Sequence, residues 1–383
     1  MHFSLKRIKA MKKTVWIIAV VLLLVSGGDG SAVDVNIQTG LNFNWWDGGE
    51  GYHGSQTYVP VTIYAEQSDF SAKILTAFAN TYSDTSGGSS DTLSCNIDTK
   101  ANFSYMVVDK FFADLVFGFD VNLPTGKTKL NLEEQGLVLD PDLVAISRLG
   151  EGFNVNPTIS LAKVWNKLAA GIGVGYLFRG EYDYSEAVRK YDPGDILSLT
   201  GELSYFFSSK WEGRLFGEFA HYDKDKVANK DYYEEGVFFL GGTGINYYET
   251  DWEARLTVQG IFRGKSQFQE EGQGLTTEDR NSYGDEWSAD LAWKYNLSQV
   301  TTLRSQLSYL LMVENGYASD APFYIGDRQK TSLTVAVARQ LTPILKGECG
   351  LGGYILDVGR NWYHTDDKTY KGVIASVMLT AAF

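Results

Sequence analysis

The sequence predicts an all-β fold, a transmembrane antiparallel up-and-down β-barrel of sixteen strands, with fourteen as the alternative count. Three observations lead there: side chains alternate in character along many segments, those segments outrun soluble strands, and short and long connections take turns along the chain. In "DILSLTGELSYFF" (195–207), Leu197, Leu199, Leu203 and Tyr205 share one parity, while Ser198, Thr200, Glu202 and Ser204 take the other. "KWEGRLFGEFA" sets Trp211, Leu215 and Phe219 against Glu212, Arg214 and Glu218. "DWEARLTVQGIFR" sets Trp252, Leu256, Val258 and Phe262 against Glu253, Arg255, Gln259 and Arg263, and "EWSADLAWKY" sets Trp287, Leu291 and Trp293 against Glu286, Asp290 and Lys294. Successive strand side chains point to opposite faces, so each segment carries one apolar and one polar face. Soluble strands average roughly 5–6 residues. Segments of this length suit a tilted wall about 25 Å tall.

The turns give the count. Short connections fall near Ser68-Asp69, 108–110, 165–167, 208–210, 249–251, 296–299 and 341–343. Longer polar, Gly-rich or acidic connections fall at 47–54, 85–91, 127–152, 186–194, 224–231, 268–283, 314–323 and 359–368. Eight long loops joined by seven short turns require sixteen strands, with both ends of the barrel on the short-turn side. Parity is weak around 70–84 and 232–249, which keeps fourteen open.

The N-terminus carries Lys6, Arg7, Lys9, Lys12 and Lys13, then the uncharged run "TVWIIAVVLLLV" (14–25) and small residues at Gly30-Ser31-Ala32. A basic stretch, a short apolar run and small residues read as a cleaved signal peptide. As a helix that run would rise only about 18 Å, short of a roughly 30 Å hydrocarbon core. The expected organisation is residues 1–32 as signal peptide and 33–383 as one barrel domain.

Composition agrees with a membrane barrel. The chain holds 23 Tyr, 21 Phe, 9 Trp and 40 Gly, but only 7 Pro, as expected of a wall with aromatic girdles. Its net charge is −13, and without the five bases and one acid of residues 1–32 it stands near −17. That charge is wrong for nucleic acid, whose binding rests on basic surface. Two cysteines exclude a disulfide scaffold.

The chain ends on "VMLTAAF" (377–383), where Val377, Leu379, Ala381 and Phe383 share one face. This resembles the C-terminal signature by which bacterial outer-membrane barrels are recognised for assembly, so Phe383 is the expected assembly signal. "DVNLPTGKTKLN" (120–131) and "YDPGDILSLTGELSYFF" (191–207) resemble segments of the broad family of outer-membrane transporters labelled as the MetA pathway of phenol degradation. The resemblance implies a transport class and no substrate.

A sixteen-strand wall encloses water, whereas eight strands fill with side chains. The polar parity then assigns the lumen lining: Asp114, Asp120, Arg179, Glu202, Glu212, Arg214, Glu218, Glu253, Arg255, Arg263, Glu286, Asp290, Lys294, Arg304, Lys346 and Glu348, with Asp34, Glu66, Asp98, Lys100 and Glu181. Acids outnumber bases in this set, which favours cations; mutual neutralisation is the alternative. The loop 127–152 contains the apolar "LVLDPDLVAI", and Gly171, Gly173 and Gly175 share inward parity. The expectation is that this loop folds into the lumen beside the glycine strip and narrows the pore.

His53, His221 and His364 fall in or beside the long loops, with His221 on the lipid parity. A lipid hydrolase would need a serine and an orienting acid, and neither can be assigned. Continuous parity puts Cys95 and Cys349 on the lipid face as free thiols. The expected function is passage of small molecules or ions across the outer membrane of a Gram-negative cell, without cofactor or metal. Expected partners are membrane lipid and lipopolysaccharide, the barrel-assembly machinery through Phe383, and further copies in a homotrimer. The competing function is a sheath around a partner such as a periplasmic multihaem cytochrome conduit.

Overall fold

Alternating strands close into a ring when the last finds the first. In the computed structural model, which describes residues 33–49, 51–85, 89–270, 274–361 and 366–383, they do so. The expected signal peptide and His364 lie outside the described residues. In chain order the elements are β1 (Asp34–Asp47), β2 (His53–Gln67), β3 (Phe70–Thr85), β4 (Ser89–Asn96), β5 (Thr99–Val107) and β6 (Asp114–Leu123). A one-turn helix, α1 (Leu132–Gln135), precedes β7 (Asn154–Trp165), β8 (Leu168–Arg179), β9 (Tyr191–Asp192), β10 (Ile196–Phe206) and β11 (Trp211–Tyr222). Then come β12 (Asp225–Val227), β13 (Lys230–Glu234), β14 (Phe238–Tyr248), β15 (Trp252–Arg263), β16 (Gln267–Gln269) and β17 (Leu275–Thr277). The chain closes with β18 (Glu286–Ser298), β19 (Thr301–Met312), β20 (Arg328–Gln340), β21 (Leu345–Val358) and β22 (Lys368–Ala382).

Each wall strand pairs antiparallel with its neighbours, and β22 pairs with β1 from Asn36↔Ala382 to Asp47↔Lys371. The pairing of the last strand with the first closes the ring, which a spanning sheet requires because lipid cannot satisfy backbone groups. Since β4 and β5 both pair β3 and form two halves of one wall strand, the barrel has sixteen strands; the fourteen-strand alternative is corrected. Short strands β9, β12, β13, β16 and β17 form a separate sheet in the long loops. The tight reversals after β2 and β7 place Ser68 and Asn166 at φ of 53° and 52°, the left-handed conformation that two-residue hairpins demand.

The register puts apolar side chains on one face throughout. Ile172 and Leu351 keep 62% and 65% of their surface exposed, and Leu215, Leu333 and Val377 are exposed too. In water such a band would forfeit about 25 cal/mol per Å² of apolar surface, whereas hydrocarbon accepts it. Aromatic rings edge the band at the short-turn rim: Trp211, Tyr247 and Trp252 lie with centroids 4.6 and 4.9 Å apart. This is where amphipathic rings settle between lipid and water.

One defect interrupts the pattern. On β3, Leu75 pairs Lys100 while Phe78 pairs Asn96, so two residues face three at 97–99. The extra residue is a β-bulge, and it flips the face of every side chain beyond it. Ala101 remains outside, but Leu93 and Cys95 turn inward. The lipid-facing assignment of Cys95 is thereby corrected: it packs with Leu93 against Leu130, Leu137 and Leu149 of the long loop. Cys349 pairs Val337 and Val377 on the outer face, and both thiols are free.

Candidate functional site: the lumen and its folded-in loop

The long loop between β6 and β7 starts and ends at the bulge. Asp98, 3% exposed, accepts from the backbone N–H of Gly126 (2.8 Å) and of Glu151 (2.7 Å) and from Asn122 Nδ2 (2.7 Å), while its own N–H donates to the Leu149 carbonyl (3.1 Å). One carboxylate thus clamps both ends of the loop. Asp98 is no lumen charge, which corrects its sequence assignment. Glu181, also expected on the wall, is exposed beyond β8. Asp114 accepts from the Asp109 N–H and serves the turn before β6.

Between its clamped ends the loop folds inward. Asn131 caps α1 reciprocally with Glu134, and Lys127 donates to Glu134. Gln56 on β2 presents its amide to Ile146 as a strand would, Nε2 to the carbonyl and Oε1 from the N–H, both 2.9 Å. Arg328 on β20 grips Asp140 with two guanidinium nitrogens (2.7 and 3.1 Å) and also reaches Asp142 (2.9 Å). Lys330 donates to the Asp142 carbonyl and Tyr354 to that of Leu143. Beneath these bonds Trp46, Leu139, Leu143, Val144, Leu356 and Tyr370 are buried together. Trp46, Gln56, Arg328, Lys330 and Tyr354 share the face opposite the exposed apolar band, so the loop lies inside the ring. It packs on the arc from β20 through β1 to β4. The expected seat beside the glycine strip is corrected: side chains added at Gly173 and Gly175 would meet Ser160, Thr158, Ser198 and Thr200 instead. Neighbouring polar side chains occupy the space at those two glycines on the far wall.

On the rest of the inner face, cations and acids of the short-turn half lie side by side. Arg214 pairs Glu202 through two bonds of 2.7 and 2.6 Å. Lys294 lies 3.3 Å from Glu253, and Arg304 2.9 Å from Glu348. Glu212 accepts from Asn246 and Tyr248, and Arg255 donates to Asn246. Asp290 accepts from Gln306 and Ser308, and Asp120 from Asn102 and Asn156. Glu218 and Lys346 sit on the same face in register with Thr200 and Thr380. Arg263 and Glu286 stand 3.9 Å apart nearer the long loops.

Beside the loop, a cavity of about 640 Å³ is bordered by Lys73, Lys100, Arg148, Arg179, Glu235 and Arg263. Arg148 donates to Glu151 (2.9 Å), and Lys100 approaches the same carboxylate at 3.6 Å. Burial alone would raise the Glu151 pKa, but the Arg148 bond and the charges of Lys100 and Arg179 hold it below the usual range. At Glu235 burial dominates and pushes the carboxyl up against the opposing pull of Arg263. Lys73, Arg148, Arg328 and Lys330 were absent from the sequence-derived lining. Arg148 sits in a loop, and β20 begins before the alternation becomes visible.

No known family and no curated protein sequence matches the chain, so the expected resemblance to the MetA phenol-degradation family finds no support. Among solved structures, OccAB1 of Acinetobacter baumannii is similar at 9% identity over 91% of this chain and 96% of that one, with a TM-score of 0.47. OpdQ of Pseudomonas aeruginosa gives 10%, 93%, 100% and 0.44, and an anion-selective porin from Comamonas acidovorans gives 13%, 92%, 100% and 0.41.

Proposed function

We propose that the protein is a water-filled channel for small solutes in the outer membrane of a Gram-negative cell, its short turns periplasmic and its long loops outside. The observation that carries this reading is the docked loop: it occupies one arc of a polar lumen and leaves water-wide space against the remaining wall. A fully packed interior would offer neither the cavity beside Arg148 and Arg179 nor the one of about 440 Å³ lined by Glu253, Arg255, Lys294 and Arg304. The same loop takes up space that a sheathed partner would need, which favours the channel over the sheath. Asp98 and Glu181 leave the lining, while Lys73 and Arg148 join it together with Glu151 and Glu235, so the cation preference expected from acid excess stays part of this reading. Contacts with lipopolysaccharide, assembly through Phe383, whose N–H and carbonyl pair with Val35, and a homotrimer belong to this reading. Reconstitution of purified protein in planar bilayers tests it: discrete conductance steps in KCl are expected, and a properly folded but silent barrel would overturn it.

A further inference from the structure

The chamber bounded by the loop and the far wall is more than a passage. Its cations outnumber its acids: Lys73, Lys100, Arg148, Arg179 and Arg263 border it with Asp120, Glu151 and Glu235. Arg148 and Lys100 share the single carboxylate of Glu151. Arg179 donates to the Gly194 carbonyl (3.2 Å), and neither it nor Lys73 has a carboxylate at ion-pair distance among the described residues. The Arg148 side chain keeps 78% of its surface open although it projects inside the barrel. A guanidinium carries five donors in a rigid fork suited to an oxyanion, and here two of them border one cavity with donors to spare.

The second observation lies directly toward the long loops. A cavity of about 560 Å³, also bordered by Arg148 and Arg179, is lined by Tyr182, Tyr184, Tyr191, Tyr222, Tyr232 and Tyr233. The rings of Tyr182, Tyr184 and Tyr191 contact one another edge-on or tilted, with centroids 5.6 to 6.5 Å apart. Tyr191 spends its hydroxyl on Asp225 and Tyr233 spends its own on Ser266, which leaves ring surface as what they offer a solute. Burial raises the Tyr182 hydroxyl to about 12, so it stays neutral and adds no repulsion toward an anion.

We propose that these adjoining cavities form a binding station for a small aromatic carboxylate, its ring against the tyrosines and its carboxylate between Arg148 and Arg179. The station rests on the channel reading and adds the solute class. Lys73 and Lys100 lie onward from it in the same chamber, so a solute released by the arginines meets further positive charge. Stacking on tyrosine and a shared guanidinium clamp are each modest terms in water, which together suit weak, reversible binding.

The test uses the whole detergent-solubilised barrel and benzoate, acetate and inorganic phosphate as probes. Calorimetric titration reads binding directly and does not depend on conduction; blockade of KCl current in bilayers reads it in the open channel. Benzoate is expected to bind, acetate and phosphate at least about tenfold more weakly, and Arg148→Gln/Arg179→Gln to lose about tenfold in benzoate affinity. Arg148→Lys/Arg179→Lys, which keeps the charge and the fold, is expected to fall between. Acetate or phosphate binding as tightly as benzoate, or a double Gln variant with full affinity, overturns the station. A barrel that conducts but ignores benzoate sinks the station alone, whereas one that binds benzoate but never conducts sinks the channel reading.

Discussion

The two halves of the lumen carry the same kinds of side chain and arrange them differently. In the short-turn half, Arg214, Lys294 and Arg304 each have a carboxylate of their own within 3.3 Å or less, while Arg255 donates to Asn246 instead and Lys346 has no carboxylate at ion-pair distance among the described residues. In the chamber beside the loop, Lys100 and Arg148 divide the carboxylate of Glu151, and Lys73 and Arg179 have none at ion-pair distance among the described residues. An adjacent pair is a dipole whose field fades over a few ångströms, faster still in salt, whereas an unmatched cation keeps its reach. Counting charges on a wall therefore says little about selectivity; their pairing decides it.

The largest perturbation removes the loop that builds the asymmetry. Deleting residues 130–148 takes away Arg148 and the mass docked on the arc from β20 to β4, so single-channel conductance is expected to rise at least about twofold. The same deletion removes Leu130, Leu137 and Ile146 from the cluster that shields Cys95. A charged, water-soluble thiol reagent is expected to label it while Cys349 in lipid stays unreactive. Equal labelling of both cysteines, or conductance unchanged from the parent, would remove the docked loop.

Acid sharpens the contrast and loosens the loop together. Glu134 and Glu151 both titrate below their ordinary value of 4.5 in the fold; burial pushes each up, and the bonds from Lys127 and Arg148 more than reverse it. Their stabilisation is thus complete above that value and fades as pH falls through the lower folded one. Conductance should become larger and noisier below about pH 4, where these two carboxylates take up protons. A constant, quiet current across that acid range would show that these carboxylates do not hold the loop.

The smallest effect comes from making one half resemble the other. Glu202→Gln leaves Arg214 without its carboxylate, and an exposed pair of this kind contributes only about 0–1 kcal/mol, so folding should be unaffected. The reversal potential in asymmetric KCl should move a few millivolts toward anions. A shift toward cations would contradict the pairing account.

Much of this was legible because strand parity is local. The lining assignments of Glu202, Arg214, Glu253 and Lys294 required only the alternation within one segment, and the turn spacing alone led to sixteen strands. Cys95 was misread for the same reason: one inserted residue at 97–99 inverts the parity, and nothing in the letters "NIDT" marks it. Asp98 read as another acid on a polar face because its role depends on backbone N–H groups at 126 and 151, supplied by a distant loop.

The sequence by itself determined a closed wall with oil on one side and water on the other, since two-residue periodicity and chain punctuation are properties of neighbouring residues. Only the tertiary structure decided what stands inside that wall. Gln56 meets Ile146 across 90 residues and Arg328 meets Asp140 across 188. Contacts at such separations arise only once the barrel has closed and brought its far strands around the loop.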